Sequence, residues 1–308
     1  MDYRRFDVVH ACTLAVLTML SHPQAPVTKT PRFFLQYPVM PGFGLTFGFS
    51  TFYLSLIVLF PLSALLVYVS DMSWAQYWQA ISDKRVVQSY YVTISAAFYS
   101  TVIATGIGFV IAWIITRYEF PGRRLIDALV DLPFALPTSV AGLTLATLLV
   151  PGGWLGQWLA PYGIKIAYAY PGIVVAMTFT SLPFVVRIVQ PVMEELGGEY
   201  EEVASTLGAR KWQIFWKVVL PALIPAMVTG SSQAFIRSLG EFGAVIMIAG
   251  NIPFKTEVSS LMIFIRLQEF NYPAAAAIAS VILLASLLLL FSLQVLQGRL
   301  LVWQRKTL

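Results

Sequence analysis

Long apolar runs constrain this sequence more than any other feature. A helix needs about 20 mostly apolar residues to cross a bilayer, because each residue advances it by about 1.5 Å. Six runs approach or exceed that length: 47–70, 91–116, 130–150, 170–193, 219–249 and 275–296. Charged residues make up 11% of the 308 positions, whereas soluble domains carry about 25%. We therefore predict an all-α membrane protein with six transmembrane helices.

The distribution of Lys and Arg predicts the orientation of these helices, because cytoplasmic loops carry an excess of both. With the N-terminus inside, inner segments hold 14 basic residues, outer segments hold five, and Arg237 falls inside a span. Both termini and the charged segment 194–217 are thus predicted to be cytoplasmic. The basic residues form small clusters between apolar runs, which fits membrane-flanking loops and argues against a nucleic-acid partner.

The two ends of the chain differ in character from the apolar middle. Residues 8–20 are apolar, but the run is short for a span and no small-x-small cleavage site follows. We predict that residues 1–45 form an interfacial or flexible extension. Residues 46–300 would then form the six-helix domain, and residues 301–308 a cytoplasmic tail.

The segment 194–221 is a dense charged insert between two apolar runs. Its apolar residues recur at the spacing i, i+3, i+4 and i+7 of an amphipathic helix; they are Tyr200, Val203, Ala204 and Leu207. Glutamates occupy the first turn, where the helix dipole favours negative charge; they are Glu199, Glu201 and Glu202. Gly208 stands where a left-handed C-terminal cap is expected. We predict a short helix that ends at Gly208 and a second helix from about Ala209 into the fifth span.

This insert resembles the cytoplasmic loop of the permease subunits of bacterial ABC importers, whose form is E-A-A-x3-G-x9-I-x-L-P. The matching positions are Glu202, Val203, Ala204, Gly208, Val218, Leu220 and Pro221. Valine replaces the first alanine and the isoleucine. Further stretches, including LVDLPFALPTSVAGLTLA and RSLGEFGAVIMIAGNI, are similar to the T-type permease of sulfate/thiosulfate importers. This similarity covers roughly residues 41–298 and leaves out the N-terminal 40.

The resemblance implies a fold, a function and a set of partners. The fold would be the type I importer bundle, and the function ATP-driven import of sulfate or thiosulfate. The partners would be two ATP-hydrolysing subunits, a second, homologous permease subunit and a periplasmic sulfate/thiosulfate-binding protein, which would dock against segment 251–271. By the same resemblance the 199–208 helix would dock on an ATPase subunit through the motif residues. ATP and magnesium would be bound by that subunit, and this chain would bind no cofactor.

Polar residues inside the fifth run mark a second candidate site. They recur every four residues and comprise Thr229, Gln233, Arg237 and Glu241. A charge at the centre of a spanning helix is costly, so these side chains are predicted to face the bundle interior. Arg237 can pair with Glu241, and either the arginine offers its charge to a passing anion or the pair holds helices or a gate together. Gly240 and Gly243 would let a neighbouring helix approach closely.

The third and fourth runs carry helix-breaking prolines and hydroxyl groups. Asp127 and Asp131 lead into the third run, in which Pro133 and Pro137 would interrupt the helix. Pro183 would do the same in the fourth run. Hydroxyl groups near these prolines could bind an oxyanion; they belong to Thr138, Ser139, Thr180 and Ser181.

Several other functions lack their sequence signatures. There is no G-x-x-x-x-G-K-[ST] phosphate loop, so ATP would have to be hydrolysed elsewhere. The single cysteine, Cys12, excludes an internal disulfide, and His10 and His22 lack further ligands for a metal. A molybdate or tungstate permease remains an alternative. A secondary transporter would leave the 194–221 motif unexplained, and a membrane enzyme would need a catalytic set of residues.

Overall fold

Helices account for all regular secondary structure in the computed structural model, which describes residues 43–307. The long helices are α1 (Phe43–Ser70), α3 (Lys84–Arg117), α8 (Tyr170–Leu196), α11 (Leu220–Leu239) and α14 (Tyr272–Thr307). The short helices are α2 (Trp74–Ser82), α4 (Arg123–Val130), α5 (Leu132–Ala135), α6 (Thr138–Leu149), α7 (Gly156–Leu159), α9 (Glu199–Thr206), α10 (Lys211–Ile214), α12 (Gly243–Ile248) and α13 (Ser259–Gln268). Most of the predicted N-terminal extension lies outside the described residues.

Five described helices are long and apolar enough to cross a membrane. They are Gly44–Ser70, Lys84–Arg117, Tyr170–Leu196, Lys211–Leu239 and Tyr272–Val295. The third predicted span, 130–150, is not among these five helices, and it is interrupted between α5 and α6, beside Pro137, as its prolines predicted. The longest piece, α6, has 12 residues and would reach only about 18 Å, against a hydrocarbon core of about 30 Å.

The bounds of the other predicted spans also need correction. The helix predicted to run from about Ala209 into the fifth span, 219–249, starts at Lys211 and stops at Leu239. The helix of the sixth span, predicted over 275–296, begins at Tyr272 and continues through Gly298 to Thr307. The prolines Pro183 and Pro191 lie inside α8 without ending it.

The chain divides between Leu59 and Phe60, within α1. In the first part, side chains of residues 44–59 are mostly exposed. The remainder of the description concerns the second part, residues 60–307, in which α3, α8 and α11 pack along one another.

Small residues set the distance between these three helices. A methyl group on Gly108 of α3 would lie 2.9 Å from the Cβ of Val185 in α8. One on Gly230 of α11 would lie 3.1 Å from the Cα of the same valine. Both distances are shorter than a normal carbon contact, so the glycines allow the helices to approach closely.

Three serines form a polar junction where α3, α8 and α11 meet. The hydroxyl of Ser100 lies 3.3 Å from that of Ser238 and 3.5 Å from that of Ser181. All three side chains are buried. Since Ser100 stands halfway along α3, this serine junction marks the middle of the bundle.

An ion pair and a buried hydrogen bond stabilise one end of the bundle. We call the end at which α3 stops, near residues 197–210, the loop end, and the opposite end the far end. At the far end Arg85 of α3 makes a two-pronged contact with Glu257, which is 2% exposed, and its Nε lies 2.8 Å from Glu257 Oε2. Nearby, the hydroxyl of Thr93 accepts a hydrogen bond from the backbone N–H of Ser259 at 2.8 Å.

The contact between α6 and α12 predicts the effect of a single methyl group. A methyl at Gly142 would lie 2.3 Å from the carbonyl oxygen of Ala244. We expect Gly142→Ala to lower the free energy of unfolding by roughly 1–3 kcal/mol, as overpacking of a close contact does. Thermal unfolding of the purified protein in detergent would measure this loss.

The matched control is Gly106→Ala in α3, because a methyl there meets nothing within 4 Å. This variant should be neutral or slightly more stable, since alanine favours helix over glycine by up to about 1 kcal/mol. Equal unfolding midpoints for the two alanine variants would contradict the close approach of α6 and α12.

Candidate functional site

The helix of the fifth predicted span stops in the middle of the bundle. The helix α11 ends at Leu239, and α12 starts only at Gly243. The side chain of Ser238 belongs to the serine junction, so this break lies near half-depth. Backbone groups freed at such a depth need partners, because no water is available in the hydrocarbon region.

Glu241 supplies one of these partners. Its Oε1 accepts a hydrogen bond from the backbone N–H of Ala244 at 3.0 Å, at the start of α12. The side chain is 1% exposed. The sequence predicted that Glu241 extends a helical stripe with Arg237, and this is wrong: Glu241 lies beyond the end of α11 and serves the next helix.

Arg237 forms an ion pair with Glu241 across the break. Its Nη1 lies 2.6 Å from Glu241 Oε2, although the N–H is not aligned with that oxygen as a hydrogen bond. The arginine side chain is 32% exposed. Within residues 44–295 its N–H groups have no hydrogen-bond acceptor, so the guanidinium can still donate to a ligand.

The other two polar residues of the stripe lie on α11 as predicted. Gln233 is exposed and Thr229 is partly buried. The hydroxyl of Thr229 donates to the carbonyl of Pro225 at 2.8 Å. The exposed amide of Gln233, one turn from Arg237, therefore extends the polar surface toward the loop end.

A second helix break lies beside the first. The helix α6 begins at Thr138, after the extended residues Leu136 and Pro137. A methyl group on Gly243 would lie 2.2 Å from Thr138 Oγ1 and 3.1 Å from Ser139 Oγ. The close approach predicted for Gly243 is thus confirmed, whereas a methyl on Gly240 would meet none of the described residues within 4 Å, so a close neighbour at Gly240 stays a prediction.

The four hydroxyl residues noted in the sequence separate into two pairs. Thr138 and Ser139 are partly exposed beside the break that holds Arg237. Thr180 and Ser181 are buried, and each donates to a carbonyl of its own helix, at 3.2 and 3.4 Å. Only Thr138 and Ser139 therefore remain candidates for contact with a ligand.

A charged cluster joins α8 to the start of the broken third span. Arg187 reaches both oxygens of Asp131, at 2.8 Å from Nε and 2.6 Å from Nη2. Its Nη1 lies 2.7 Å from Asp127 Oδ1. The sequence had treated the aspartates only as a lead into the span. Two sequence features could have predicted this cluster. The aspartates are four residues apart and so share a helix face, and Arg187 is an isolated cation in the fourth apolar run, which needs an anionic partner.

The charged insert forms the short helix α9 and presents an apolar surface. Tyr200, Val203 and Leu207 are 63%, 60% and 83% exposed. The fourth residue of this apolar stripe, Ala204, is partly buried against the apolar residues that pack at the loop end of the bundle. The glutamate of the motif, Glu202, is exposed beside this surface.

The turn after α9 has the geometry expected of a glycine cap. Gly208 has φ +85°, and its N–H donates to the carbonyl of Ser205 at 2.9 Å. The second helix starts at Lys211 rather than Ala209 and continues through a π-helical turn, Phe215–Val219, into α11. Leu220 and Pro221 are the first residues of α11. Because proline has no N–H for the carbonyl four residues earlier, it interrupts the regular ladder at this turn.

Residues 104–302 match the family described as "binding-protein-dependent transport system inner membrane component", and the chain belongs to this family. It is therefore a component of a transporter in the bacterial inner membrane and not a catalytic enzyme. The permease resemblance inferred from the charged insert is confirmed at this level.

Two similar proteins are sulfate transport permeases. The sulfate transport system permease protein CysT of Escherichia coli K12 is 63% identical over 261 residues, which cover 85% of this chain and 94% of that protein. The protein of the same name from Synechocystis is 46% identical over 245 residues, covering 80% of this chain and 86% of that protein.

Solved structures show the fold. A bacterial ABC transporter involved in the import of alginate matches with a TM-score of 0.70 at 18% identity, over 83% of this chain and 96% of that one. An inward-facing methionine ABC transporter, MetNI, matches with a TM-score of 0.54 at 18% identity, over 74% and 99%. The chain thus has the fold of an ABC importer permease.

Proposed function

We propose that this chain is the permease subunit through which an ABC importer moves sulfate, and also thiosulfate, into the cytoplasm. The observation that carries the proposal is the 63% identity to a sulfate transport permease over 94% of that protein's length. Arg237 adds a chemical reason, since a partly exposed guanidinium at half-depth offers a dianion a charge and directed N–H donors.

The proposed topology has six crossings with cytoplasmic termini. Five crossings are the long apolar helices, and the third is a composite of α4, α5 and α6. The excess of Lys and Arg in alternate loops supports this orientation. It places the loop end, with α9, in the cytoplasm.

The proposed partners are those implied by the importer class. Two ATPase subunits would bind ATP and magnesium, and one of them would receive the exposed stripe of α9. A second, homologous permease would complete the pathway beside Arg237, Gln233 and Thr229. A periplasmic binding protein would deliver the anion at the far end, and this chain would hold no cofactor of its own.

The cargo is tested by labelled-sulfate uptake in cells with and without this chain. We expect uptake to disappear without it, and excess thiosulfate, but not molybdate, to compete in its presence. Retained sulfate uptake together with lost molybdate uptake would contradict the proposed cargo and favour the molybdate alternative. A strain that lacks other sulfate importers is the required background.

Coupling is tested at Gly208, where strain comes from the backbone alone because a methyl there meets nothing within 4 Å. The left-handed conformation costs most L-residues about 1–2 kcal/mol, and asparagine less. We expect Gly208→Val to reach the membrane in normal amount and to lose ATP-driven sulfate uptake, with Gly208→Asn less affected. Normal uptake by the valine variant would remove the docking role of this turn.

The pathway is tested by comparing Arg237→Gln with Glu241→Gln. A hydrogen bond to a charged group contributes about 1.5–3 kcal/mol, so loss of the arginine is expected to reduce uptake by at least about tenfold. The Glu241 variant should lose less, because its amide oxygen can still accept from Ala244 and Arg237 remains. Equal losses with equal falls in thermal stability would instead assign the pair a purely structural role.

A further inference from the structure

One stripe of α3 contacts both arms of the charged loop. Phe109, Trp113 and Arg117 stand four residues apart and share one face of the helix, which we call the α3 stripe. The first arm of the loop comprises residues 197–206, and the second arm comprises residues 210–219. The loop is covalently joined to α8 and α11, but not to α3.

Arg117, the last residue of α3, binds the first arm at two points. Its Nη1 donates to the carbonyl of Gly197 at 2.8 Å, just beyond the end of α8. Its Nη2 forms an ion pair with Glu201 Oε1 at 2.6 Å, in the first turn of α9, although the N–H is not aligned with that oxygen as a hydrogen bond. The guanidinium also sits 5.6 Å from the centre of the Trp113 ring, and the arginine side chain is 17% exposed.

The rest of the stripe binds the second arm. The ring of Phe215 meets Trp113 edge-on at 5.5 Å and Phe109 at 6.4 Å between centroids. Phe215 opens the π-helical turn that leads into α11. Turns of this kind are frequent at functional sites. The α3 stripe therefore fastens to both arms through one cation and two aromatic rings.

We propose that Arg117 is a positioning residue for energy coupling, which makes α3 follow the movement of α9. The proposal rests on the proposed docking of α9 to an ATPase subunit. Chain connectivity alone carries a displacement of the loop to α8 and α11. The contacts of Arg117 with Gly197 and Glu201 join α3 to the same loop. A displacement of the loop would then move α3, α8 and α11 together as one body.

The shielding of Arg117 and its contacts with Gly197 and Trp113 favour a permanent attachment over one that breaks in each cycle. A solvent-exposed ion pair contributes little because water competes for both groups. Arg117 is mostly shielded, and it also binds a backbone carbonyl and an aromatic ring. The glutamate of the family motif is Glu202. Glu201 pairs with Arg117 of α3 instead, so we infer that its role is to attach α9 to α3.

The test uses the complete importer in proteoliposomes and measures the ATP hydrolysed per sulfate transported. The variants are Arg117→Gln, Glu201→Gln and the double variant, each checked for copurification of the ATPase subunit. The control is Glu199→Gln, which lies in the same turn of α9, is exposed, and has no ion pair among the described residues. Glu201→Gln is the milder variant, because it removes only the charge of one partner.

We expect the ratio of ATP to sulfate to rise severalfold in both single variants, and the double variant to be no worse than Arg117→Gln. The Glu199 variant should keep the normal ratio. An unchanged ratio in Arg117→Gln, with normal assembly, would overturn the inference. An unmodified chain that assembles with no ATPase subunit would instead overturn the proposed function, and this inference with it.

A crosslink separates a permanent attachment from a contact that must open. In a Cys12→Ser background, Arg117→Cys and Glu201→Cys would be joined by a short bismaleimide linker of about the length of the lost pair. We expect the unlinked protein to hydrolyse more ATP per sulfate transported than the unmodified importer does. Linking the two cysteines should return this ratio to near its normal value. A linked protein that transports less than the unlinked one would show that the contact opens in each cycle, and would overturn the proposal.

Discussion

The contact between Glu241 and the first turn of α12 allows a helix to stop inside the membrane. Backbone groups at that depth cannot be hydrated, and an uncompensated break would be strongly unfavourable. The Glu241 carboxylate accepts from Ala244 and holds Arg237 at the same point. The close approach of Thr138 and Ser139 to Gly243 covers the other side of the break. The candidate pathway therefore exists because a buried carboxylate stabilises an interruption that the apolar bundle would otherwise exclude.

Local patterns predicted much of this structure, and for identifiable reasons. The helix α9 and its cap at Gly208 follow from short-range rules, because a charged first turn, an apolar stripe and a glycine act within a few residues. The family motif could be read for the same reason. Long apolar runs likewise indicated five of the spans, since hydropathy requires no knowledge of the neighbouring helices.

What the sequence did not predict depends on contacts between distant segments. The largely apolar composition of residues 219–249 predicted one long span and did not indicate that α11 ends at Leu239, because Glu241 acts by binding the helix that follows. The Arg187 cluster joins residues about 60 positions apart. The contact of Arg117 with α9 was missed because the motif draws attention to Glu202, while the ion pair is made by its neighbour, Glu201. In each case the decisive partner lies on another element.

The serine junction has a mechanical consequence. Its three hydroxyl groups join α3, α8 and α11 at the midpoint of α3, so the three helices are held together at that depth. Ser100 stands about 25 Å from the Arg117 end of α3 and about 24 Å from the Lys84 end. A body that tilts about this point has arms of nearly equal length. A tilt of α3, α8 and α11 together about Ser100 would then move the two ends of the bundle by similar distances in opposite directions, so that closing one mouth would open the other by about the same amount.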